Sequence, residues 1–313
     1  MTAYQLILYL LSFFALWIGA GLIVKAVDGF SSRLKLSSFS VSFFLLGVLT
    51  SVPEFAVGMA SISQRRPEIF VGNLLGGTAT TFLLVIPVLA ILGKGIKLTN
   101  QLDRRNLIFS LLVAAAPAFF TLDGRVSTTE GITLIFLYVV LIAFIELKKK
   151  GILSVDGSAM RREFYSPMDI LKLVLGIAIV IISSRYAVTR TILFSNEIGV
   201  SPFIVSLILL SFGTNLPELS LAVRSIIEGK RDIAMGDYLG SAATNSLLFG
   251  IFTLISGGEV LTSNHFFVTF MFVIAGLGGF YYFVQSEKDV SRKEGIVLII
   301  VYILFIAFEA SRL

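Results

Sequence analysis

Two short stretches of the sequence, TSVPE and TNLPE, place a glutamate inside an otherwise apolar segment. In each, a hydroxyl residue stands first, a proline follows three positions later and the glutamate comes next. Proline has no N–H to donate and clashes with the carbonyl four residues before it, so we expect a helix to kink or break there and to free main-chain carbonyl oxygens. Such hard oxygens suit Ca²⁺, which takes about six to eight of them, or Na⁺. The oxygen-bearing side chains of the two stretches are those of Thr50, Ser51, Glu54, Thr214, Asn215 and Glu218.

The two glutamates need an explanation because a carboxylate at the middle of a bilayer costs about 2.5 to 3.5 kcal/mol on insertion scales. A single Thr-x-x-Pro-Glu is also typical of an ordinary helix start, with a hydroxyl N-cap, a proline in the first turn and an acid near the positive end of the helix dipole. Two copies, each about midway along its apolar segment, favour an intramembrane cation site over two helix caps at the ends of spans.

A second pair of stretches, GNLLGGTATT at 72–81 and GDYLGSAATN at 236–245, follows the first pair at the same distance. Each contains Gly-x-x-x-Gly, which lets a neighbouring helix approach closely. Polar residues recur every four positions, so they share one broad face of a helix. A polar face on a membrane helix is expected to point inward, here toward the broken helices. Its residues are Asn73, Thr81, Asp237, Ser241 and Asn245.

The composition places these motifs in a membrane protein. Of 313 residues, 56% are hydrophobic and only 14% are charged, and the mean hydropathy is +0.92, far from the balance of a soluble domain. The apolar runs are continuous over about 20 residues rather than alternating over about ten, which indicates helices and not a β-barrel. The chain has no cysteine, which excludes thiolate metal sites, thiol nucleophiles and disulfides. It also has no basic tract typical of nucleic-acid binding.

We predict an all-α integral membrane protein with ten transmembrane helices. The predicted spans cover residues 3–26, 38–63, 68–92, 106–122, 127–147, 168–192, 201–227, 232–257, 265–285 and 294–311. One polar stretch, 148–167, is expected to be a cytoplasmic linker. It divides the chain into a first five-helix repeat at 1–147 and a second at 168–313.

The basic residues predict the orientation in the membrane. Nineteen of the 25 lysines and arginines fall in the loops after spans one, three, five, seven and nine, and six fall on the other side. Because basic loops stay in the cytoplasm, we expect both termini outside the cell and the protein in the plasma membrane. Glu309 lies toward the end of the last span, where its carboxylate is expected to reach the membrane surface.

The motifs belong to an internal repeat. Segment 37–81 can be laid over 201–245 without a gap, and more than a third of the aligned positions are identical, both Pro-Glu pairs among them. We call the offset that carries position 37 onto position 201 the repeat shift. Each predicted half has an odd number of spans, so the second copy must enter the membrane from the side opposite to the first. Two inverted five-helix repeats are typical of secondary transporters, whose binding site lies near the midplane where the repeats meet.

At these motifs the chain resembles the cation/calcium exchanger superfamily, whose best studied members are sodium/calcium exchangers. Its members have ten helices in two inverted repeats, and each repeat carries G-T-S-x-P-E followed by G-N-x-x-G-S-x-x-x-N or D. The resemblance implies that Glu54 and Glu218 bind the transported cations. It also implies exchange of Ca²⁺ for Na⁺ by alternating access, with the ions and the lipid bilayer as partners and with no cofactor, obligatory protein partner or enzymatic step. Supporting ligand roles are implied for Thr50, Ser51, Thr214 and Ser241.

Several positions depart from the family pattern. The closing pair, usually Asn and Asp in the sodium/calcium exchangers, is Thr81 and Asn245 here, so one carboxylate is missing. Asp237 stands where the second repeat usually has Asn. Our hypothesis is that Asp237 restores the third acid of the site, and the alternative is that it only bonds to neighbouring helices. The other departures are Leu49 in place of glycine, and Gly77 and Asn215 in place of serine.

Exchange of Ca²⁺ or another divalent cation for H⁺ is the alternative interpretation of the same motifs. Proton-coupled relatives exist in the superfamily, the residues that differ here are those of sodium sites, and a carboxylate pair can take up a proton when a metal leaves. A cation channel, with the carboxylates as its filter, is less favoured. So is an intramembrane aspartyl protease, because every aspartate other than Asp237 lies in or beside a predicted loop.

Overall fold

A computed structural model describes residues 3–31, 43, 47–93, 95–97, 104–148, 167–228, 231–261, 266–287 and 289–311, and the statements below concern these ranges. Residues 149–166 of the predicted linker (148–167) lie outside them, as does most of 38–46, the start of the second predicted span. Helices dominate the described ranges, with short strands between some of them.

The elements follow the predicted spans closely. Two of the helical stretches contain a π-helical turn, at Thr81–Val85 and at Ser206–Leu210. In chain order the other elements are α1 (Ala3–Ser31), α2 (Gly47–Thr50), α3 (Val52–Ser63), α4 (Glu68–Thr80), α5 (Ile86–Leu92), β1 (Ile96–Lys97), α6 (Arg104–Phe120), β2 (Arg125–Ser127), α7 (Thr128–Lys148), α8 (Pro167–Ile198), α9 (Pro202–Val205), α10 (Ser211–Thr214), α11 (Leu216–Glu228), α12 (Arg231–Ile255), β3 (Glu259–Leu261), α13 (Phe266–Glu287), β4 (Asp289–Val290) and α14 (Arg292–Ala310).

Seven helical stretches of the described ranges are long and apolar enough to cross a membrane. They lie at Tyr4–Ala26, Glu68–Leu92, Thr128–Ile145, Pro167–Ile198, Pro202–Val223, Met235–Ile255 and Phe266–Gln285. The helices at the other predicted spans, α3, α6 and α14, are shorter or carry more charges. The mainly helical membrane architecture agrees with the prediction, whereas the count of ten spans and their inverted arrangement stay predictions.

The two helices that carry Gly-x-x-x-Gly form the centre of the molecule. Within an apolar 18-residue segment of each candidate membrane-spanning helix, 83% of residues are buried at Glu68–Leu92 and 78% at Met235–Ile255. The corresponding share is 22% to 39% for α1, α7, α8 and α13. The outer helices therefore expose apolar side chains to lipid, while α4 and α12 are surrounded by protein. Polar side chains on α4 and α12 are thereby kept away from hydrocarbon.

Glycines bring these central helices into backbone contact with the broken helices. A Cβ atom on Gly76 would collide with the carbonyl oxygen of Leu207, and one on Gly240 would collide with the carbonyl oxygen of Phe43. No larger residue fits at either position without moving a main chain. The close approach predicted from the glycine spacing is confirmed.

Each proline motif breaks its helix just before the proline. Ser51 forms a turn between α2 and α3, and Asn215 forms a turn between α10 and α11. Pro53 and Pro217 consequently occupy the first turn of a new helix, where the missing N–H is least costly. Both breaks fall at positions related by the repeat shift, so the repeat seen in the sequence is also a repeat of local backbone structure.

Two small antiparallel sheets join loops from the two halves of the sequence. One pairs β1 with β4 and the other pairs β2 with β3. Ile96 lies opposite Val290 in the first, and Val126 lies opposite Val260 in the second. The repeat shift turns one pairing into the other, because position 96 becomes 260 and position 126 becomes 290. Each sheet thus links both halves, a connection that the sequence analysis did not predict.

The helices that follow β2 and β4 begin with the same arrangement. The Ser127 N–H donates to Glu130 Oε2 at 2.7 Å, and the Ser291 N–H donates to Glu294 Oε2 at 2.7 Å. In return, the N–H of each glutamate donates to the serine hydroxyl, at 3.4 Å and 3.3 Å. Each is a capping box, which satisfies free N–H groups at a helix start. The two boxes are also related by the repeat shift, so the repeat continues beyond residue 81.

Candidate cation site

The predicted ligand side chains come together between the two helix breaks and the polar faces of α4 and α12. Hydrogen bonds link the breaks to both helices. None of the side chains is more than 3% exposed. The full set is Thr50, Ser51, Glu54, Asn73, Thr81, Thr214, Asn215, Glu218, Asp237, Ser241 and Asn245.

The two threonines at the breaks make equivalent contacts. Thr50 Oγ1 donates to Asp237 Oδ1 at 3.0 Å, and Thr214 Oγ1 donates to Asn73 Oδ1 at 3.2 Å. The repeat shift converts one pair into the other, because it carries position 50 onto 214 and position 73 onto 237. Each break is therefore held by the polar helix of the other half, and Asp237 occupies the position equivalent to Asn73.

The residues next to the threonines differ between the halves. Around the first break, Ser51 Oγ lies 3.2 Å from Ser241 Oγ, and Ser241 Oγ donates to Glu218 Oε1 at 2.9 Å. At the equivalent positions of the second break, Asn215 replaces the first serine and Gly77 replaces the second. A Cβ atom on Gly77 would lie 3.2 Å from Asn215 Nδ2. The larger asparagine thus fits because its neighbour has no side chain.

Both polar atoms of the Asn215 side-chain amide form hydrogen bonds. Its Oδ1 accepts from Thr81 Oγ1 at 3.0 Å, and its Nδ2 donates to the carbonyl oxygen of Ser211 at 2.8 Å. At the first break the hydroxyl of Ser51 donates to the equivalent carbonyl, that of Gly47, at 2.7 Å. Neither carbonyl was predicted individually, although the helix break that makes them accessible was.

Several carboxylate oxygens of the site are buried and lack a hydrogen-bond partner among the described residues. They are both oxygens of Glu54, Oε2 of Glu218 and Oδ2 of Asp237. Buried polar atoms are normally satisfied, so each such oxygen calls for an unseen partner such as an ion or a water molecule. Thr50 bonds to Asp237, and the adjacent Ser51 lies against Ser241, which bonds to Glu218. Buried negative charges held around one helix break in this way attract a cation.

Acidic side chains alone do not complete a metal site here. Among the described residues, no group of three or more His, Cys, Asp or Glu side chains is arranged to hold a metal ion. Any cation bound between the breaks must take further ligands from hydroxyl, amide or main-chain oxygens. The hydroxyls of Thr50, Ser51 and Thr214 lie at the two breaks, and that of Ser241 is bonded to Glu218. They are the hard ligands that Ca²⁺ and Na⁺ accept.

Comparison with known proteins identifies the family. A family profile described as sodium/calcium exchanger protein matches residues 4–146 and 169–310, in two blocks that omit the predicted linker. The chain belongs to this family. The resemblance noted from the Pro-Glu motifs is therefore confirmed over most of the sequence, and this exchanger-family chain is a multi-pass membrane protein.

The exchanger-family chain is similar to several known proteins. It is 29% identical over 259 residues to the inner membrane protein YrbG of Escherichia coli K12, covering 78% of the chain and 79% of YrbG. It is 25% identical to the sodium/calcium exchanger MaX1 of Methanosarcina acetivorans, in an alignment that covers 92% of the chain and 93% of MaX1. The crystal structure of the H⁺/Ca²⁺ exchanger CAX matches it with a TM-score of 0.76 at 15% identity, over 98% of the chain and 87% of CAX. At that identity the last match shows a shared fold.

One acidic residue of the exchanger-family chain lies where the sequence analysis did not expect it. Glu309 was expected to reach the membrane surface, but it is only 1% exposed. Its Oε1 accepts a hydrogen bond from Thr269 Oγ1 at 2.6 Å, between α13 and α14. The expectation was wrong because a position near a helix end does not reveal whether a neighbouring helix covers it.

Proposed function

We propose that this protein is a secondary active antiporter that exchanges Ca²⁺ for Na⁺ across the membrane by alternating access. The observation that carries the proposal is the pair of carboxylates, Glu54 and Glu218, buried beside two matched helix breaks with three side-chain oxygens unpartnered among the described residues. Intramembrane acids of this kind mark ion pathways, because their burial is costly without a counter-charge. The name of the relative MaX1 supports the same pair of ions.

In this proposal Glu54 and Glu218 are the principal ligands. They follow opposite breaks, so an ion between them contacts both halves of the sequence, and two carboxylates balance one divalent charge. Oxygens from hydroxyl and amide groups complete the shell, which for Ca²⁺ has about six to eight members. Asp237, which accepts a hydrogen bond from Thr50, adds negative charge beside these two ligands. The supporting ligands are drawn from Thr50, Ser51, Asn73, Thr81, Thr214, Asn215, Ser241 and Asn245.

Exchange follows from competition for these oxygens. Ca²⁺ and several Na⁺ ions need overlapping ligands, so one must leave before the other binds. An empty site would leave several negative charges close together in a medium of low dielectric constant, which disfavours movement without an ion. If the charges do not balance in each cycle, the membrane potential contributes about 2.3 kcal/mol per net charge per 100 mV.

Exchange of Ca²⁺ for H⁺ is the second candidate, and the surroundings of Gly77 favour it. The amide nitrogens of Asn215 and Asn245 are the atoms nearest to a Cβ placed on Gly77, and amide nitrogens do not bind Na⁺. The Asn215 oxygen already accepts from Thr81. The Asn215 and Gly77 positions therefore offer Na⁺ one side-chain oxygen where Ser51 and Ser241 offer two, whereas a carboxylate accepts a proton without further ligands.

The experiment that tests the proposal is Ca²⁺ uptake into proteoliposomes under an imposed Na⁺ gradient and, separately, an imposed pH gradient. Sodium coupling predicts uptake driven by the first gradient and proton coupling predicts uptake driven by the second. Saturation with obligatory counter-transport distinguishes either exchanger from a channel.

The site assignment is tested in the same vesicles. We expect Glu54→Gln and Glu218→Gln to abolish uptake, because each removes a charged ligand. Glu68→Gln is the matched control, since Glu68 pairs with Arg66 at 3.3 Å on a part-exposed surface, where an ion pair is worth about 0 to 1 kcal/mol. Transport at the wild-type rate in either site variant would refute the assignment.

A further inference from the structure

An apolar groove of about 300 Å³ lies between α6 and α13, apart from the cation site. It extends from Ile108 to Ala115 on one helix and from Ile274 to Tyr281 on the other, which corresponds to about 10 Å along the helix axes. Gly278 lies in its wall, and a Cβ atom there would have no neighbour within 4 Å. The space in front of this glycine is therefore open.

The groove faces the bilayer. Leu112 on one wall is 61% exposed and Ile274 on the other is 38% exposed, and α13 is one of the helices suited to cross the membrane. The lining side chains near the middle are all aliphatic, those of Ile108, Leu111, Leu112, Ala115, Ile274 and Leu277. An apolar slot on a lateral membrane surface is filled by hydrocarbon.

One end of the groove carries positive charge. Tyr281 lines that end, and its hydroxyl accepts a hydrogen bond from Arg104 Nε at 3.2 Å. Arg104 and the adjacent Arg105 are exposed at the start of α6, on the predicted cytoplasmic side. The bond to Tyr281 positions the planar guanidinium at the mouth of the groove, and guanidinium groups bind phosphate oxygens in a two-pronged geometry.

We propose that this groove is a binding site for an anionic glycerophospholipid, with an acyl chain between α6 and α13 and the phosphate on Arg104. Basic groups between transmembrane helices at the cytoplasmic side are the usual recognition elements for anionic headgroups. A zwitterionic lipid fills the same slot with its chain but gains less from the arginine. The proposal concerns a lateral surface and does not depend on which ions are transported.

The test measures lipid retained by the purified full-length protein. Protein in detergent is mixed with equal amounts of phosphatidylglycerol and phosphatidylcholine that have identical acyl chains, and native mass spectrometry counts each bound lipid. We expect the wild-type protein to retain phosphatidylglycerol preferentially. Arg104→Gln lowers that preference about fivefold, the factor that one arginine near an anionic lipid supplies, and Gly278→Leu lowers retention of both lipids by filling the groove.

A matched control separates the site from general effects. Arg125→Gln removes an exposed arginine on β2 and is expected to retain phosphatidylglycerol as the wild type does. Equal retention of the two lipids by the wild type, or unchanged retention in both groove variants, would overturn the proposal. Disulfide-linked dimers of Gly278→Cys would also overturn the proposal, because they would show that a second copy of the chain covers the groove. The native chain has no cysteine, so such a disulfide can form only between two copies of the introduced residue.

Discussion

At the scale of single residues, the two halves of the site are alike in geometry but not in charge. Thr50 and Thr214 make equivalent hydrogen bonds, yet one acceptor is the carboxylate of Asp237 and the other is the amide of Asn73. The second oxygen of Asp237 is buried and unpartnered among the described residues. This asymmetry supports the view that Asp237 contributes charge to the ion site beyond holding the first break.

Asp237→Asn tests that view. The amide keeps an oxygen for Thr50 and matches the equivalent Asn73, so we expect the protein to fold while the site loses one negative charge. By analogy with hydrogen bonds to charged groups, such a contact is worth about 1.5 to 3 kcal/mol, or roughly 10- to 150-fold in affinity. The Ca²⁺ concentration for half-maximal uptake by proteoliposomes should rise by about that factor.

A reciprocal variant serves as the control for Asp237→Asn. Asn73→Asp restores the charge at the equivalent position, and in combination with Asp237→Asn it should recover part of the lost affinity. Wild-type uptake and ion dependence in Asp237→Asn alone would show that Asp237 only joins neighbouring helices.

At the scale of elements, the repeat is carried by backbone features that recur at the repeat shift. The helix breaks, the strand pairings and the capping boxes all recur at this spacing. The short sequence VS-x-x-E at 126–130 and 290–294 marks the last of these. It lies beyond segments 37–81 and 201–245, and the same repeat shift carries its first copy onto its second.

The contact between central and broken helices predicts a large effect of a small substitution. Gly240→Ala places a methyl group against the carbonyl of Phe43, and overpacking of this kind costs about 1 to 3 kcal/mol. We expect a lower unfolding temperature in detergent, measured by intrinsic fluorescence. Gly278→Ala is the control, because its methyl group has free space and alanine favours the helix by about 0.5 to 1 kcal/mol. Equal unfolding temperatures for the two variants would contradict the close packing.

At the scale of the whole molecule, the central helices are shielded by outer helices that contact lipid. α1 and α8 lie along each other, joined by the Tyr9 and Thr191 hydroxyls at 2.7 Å, and the two small sheets join loops of both halves. The orientation of this assembly in the membrane rests on the distribution of basic residues alone.

Single cysteines test the orientation, because the native chain has none. With both termini outside, Asp123→Cys should react with a membrane-impermeant maleimide in intact cells, since Asp123 is exposed in a predicted outer loop. Ser154→Cys, in the predicted cytoplasmic linker, should react only after permeabilisation. The cysteine-free protein is the blank, and the reverse labelling pattern would invert the assigned orientation.

The sequence by itself determined the membrane environment, the family and the identity of the candidate ligands. Apolar runs of about 20 residues form transmembrane helices, since a helix satisfies its own backbone hydrogen bonds in a bilayer. An acidic residue beside a proline within such a run indicates a functional site. These inferences rest on short motifs that occur once in each half of the sequence, and the second occurrence supports the interpretation of the first.

Only the tertiary structure decided which of these residues meet. The contacts of Thr50 with Asp237 and of Thr214 with Asn73 join positions far apart in the chain, and no local pattern specifies such pairs. The compensation between Asn215 and Gly77, the burial of Glu309 and the open groove at Gly278 likewise depend on side-chain volume and on which helix covers which. Packing is a property of neighbours in space, and a sequence read along the chain does not contain those neighbours.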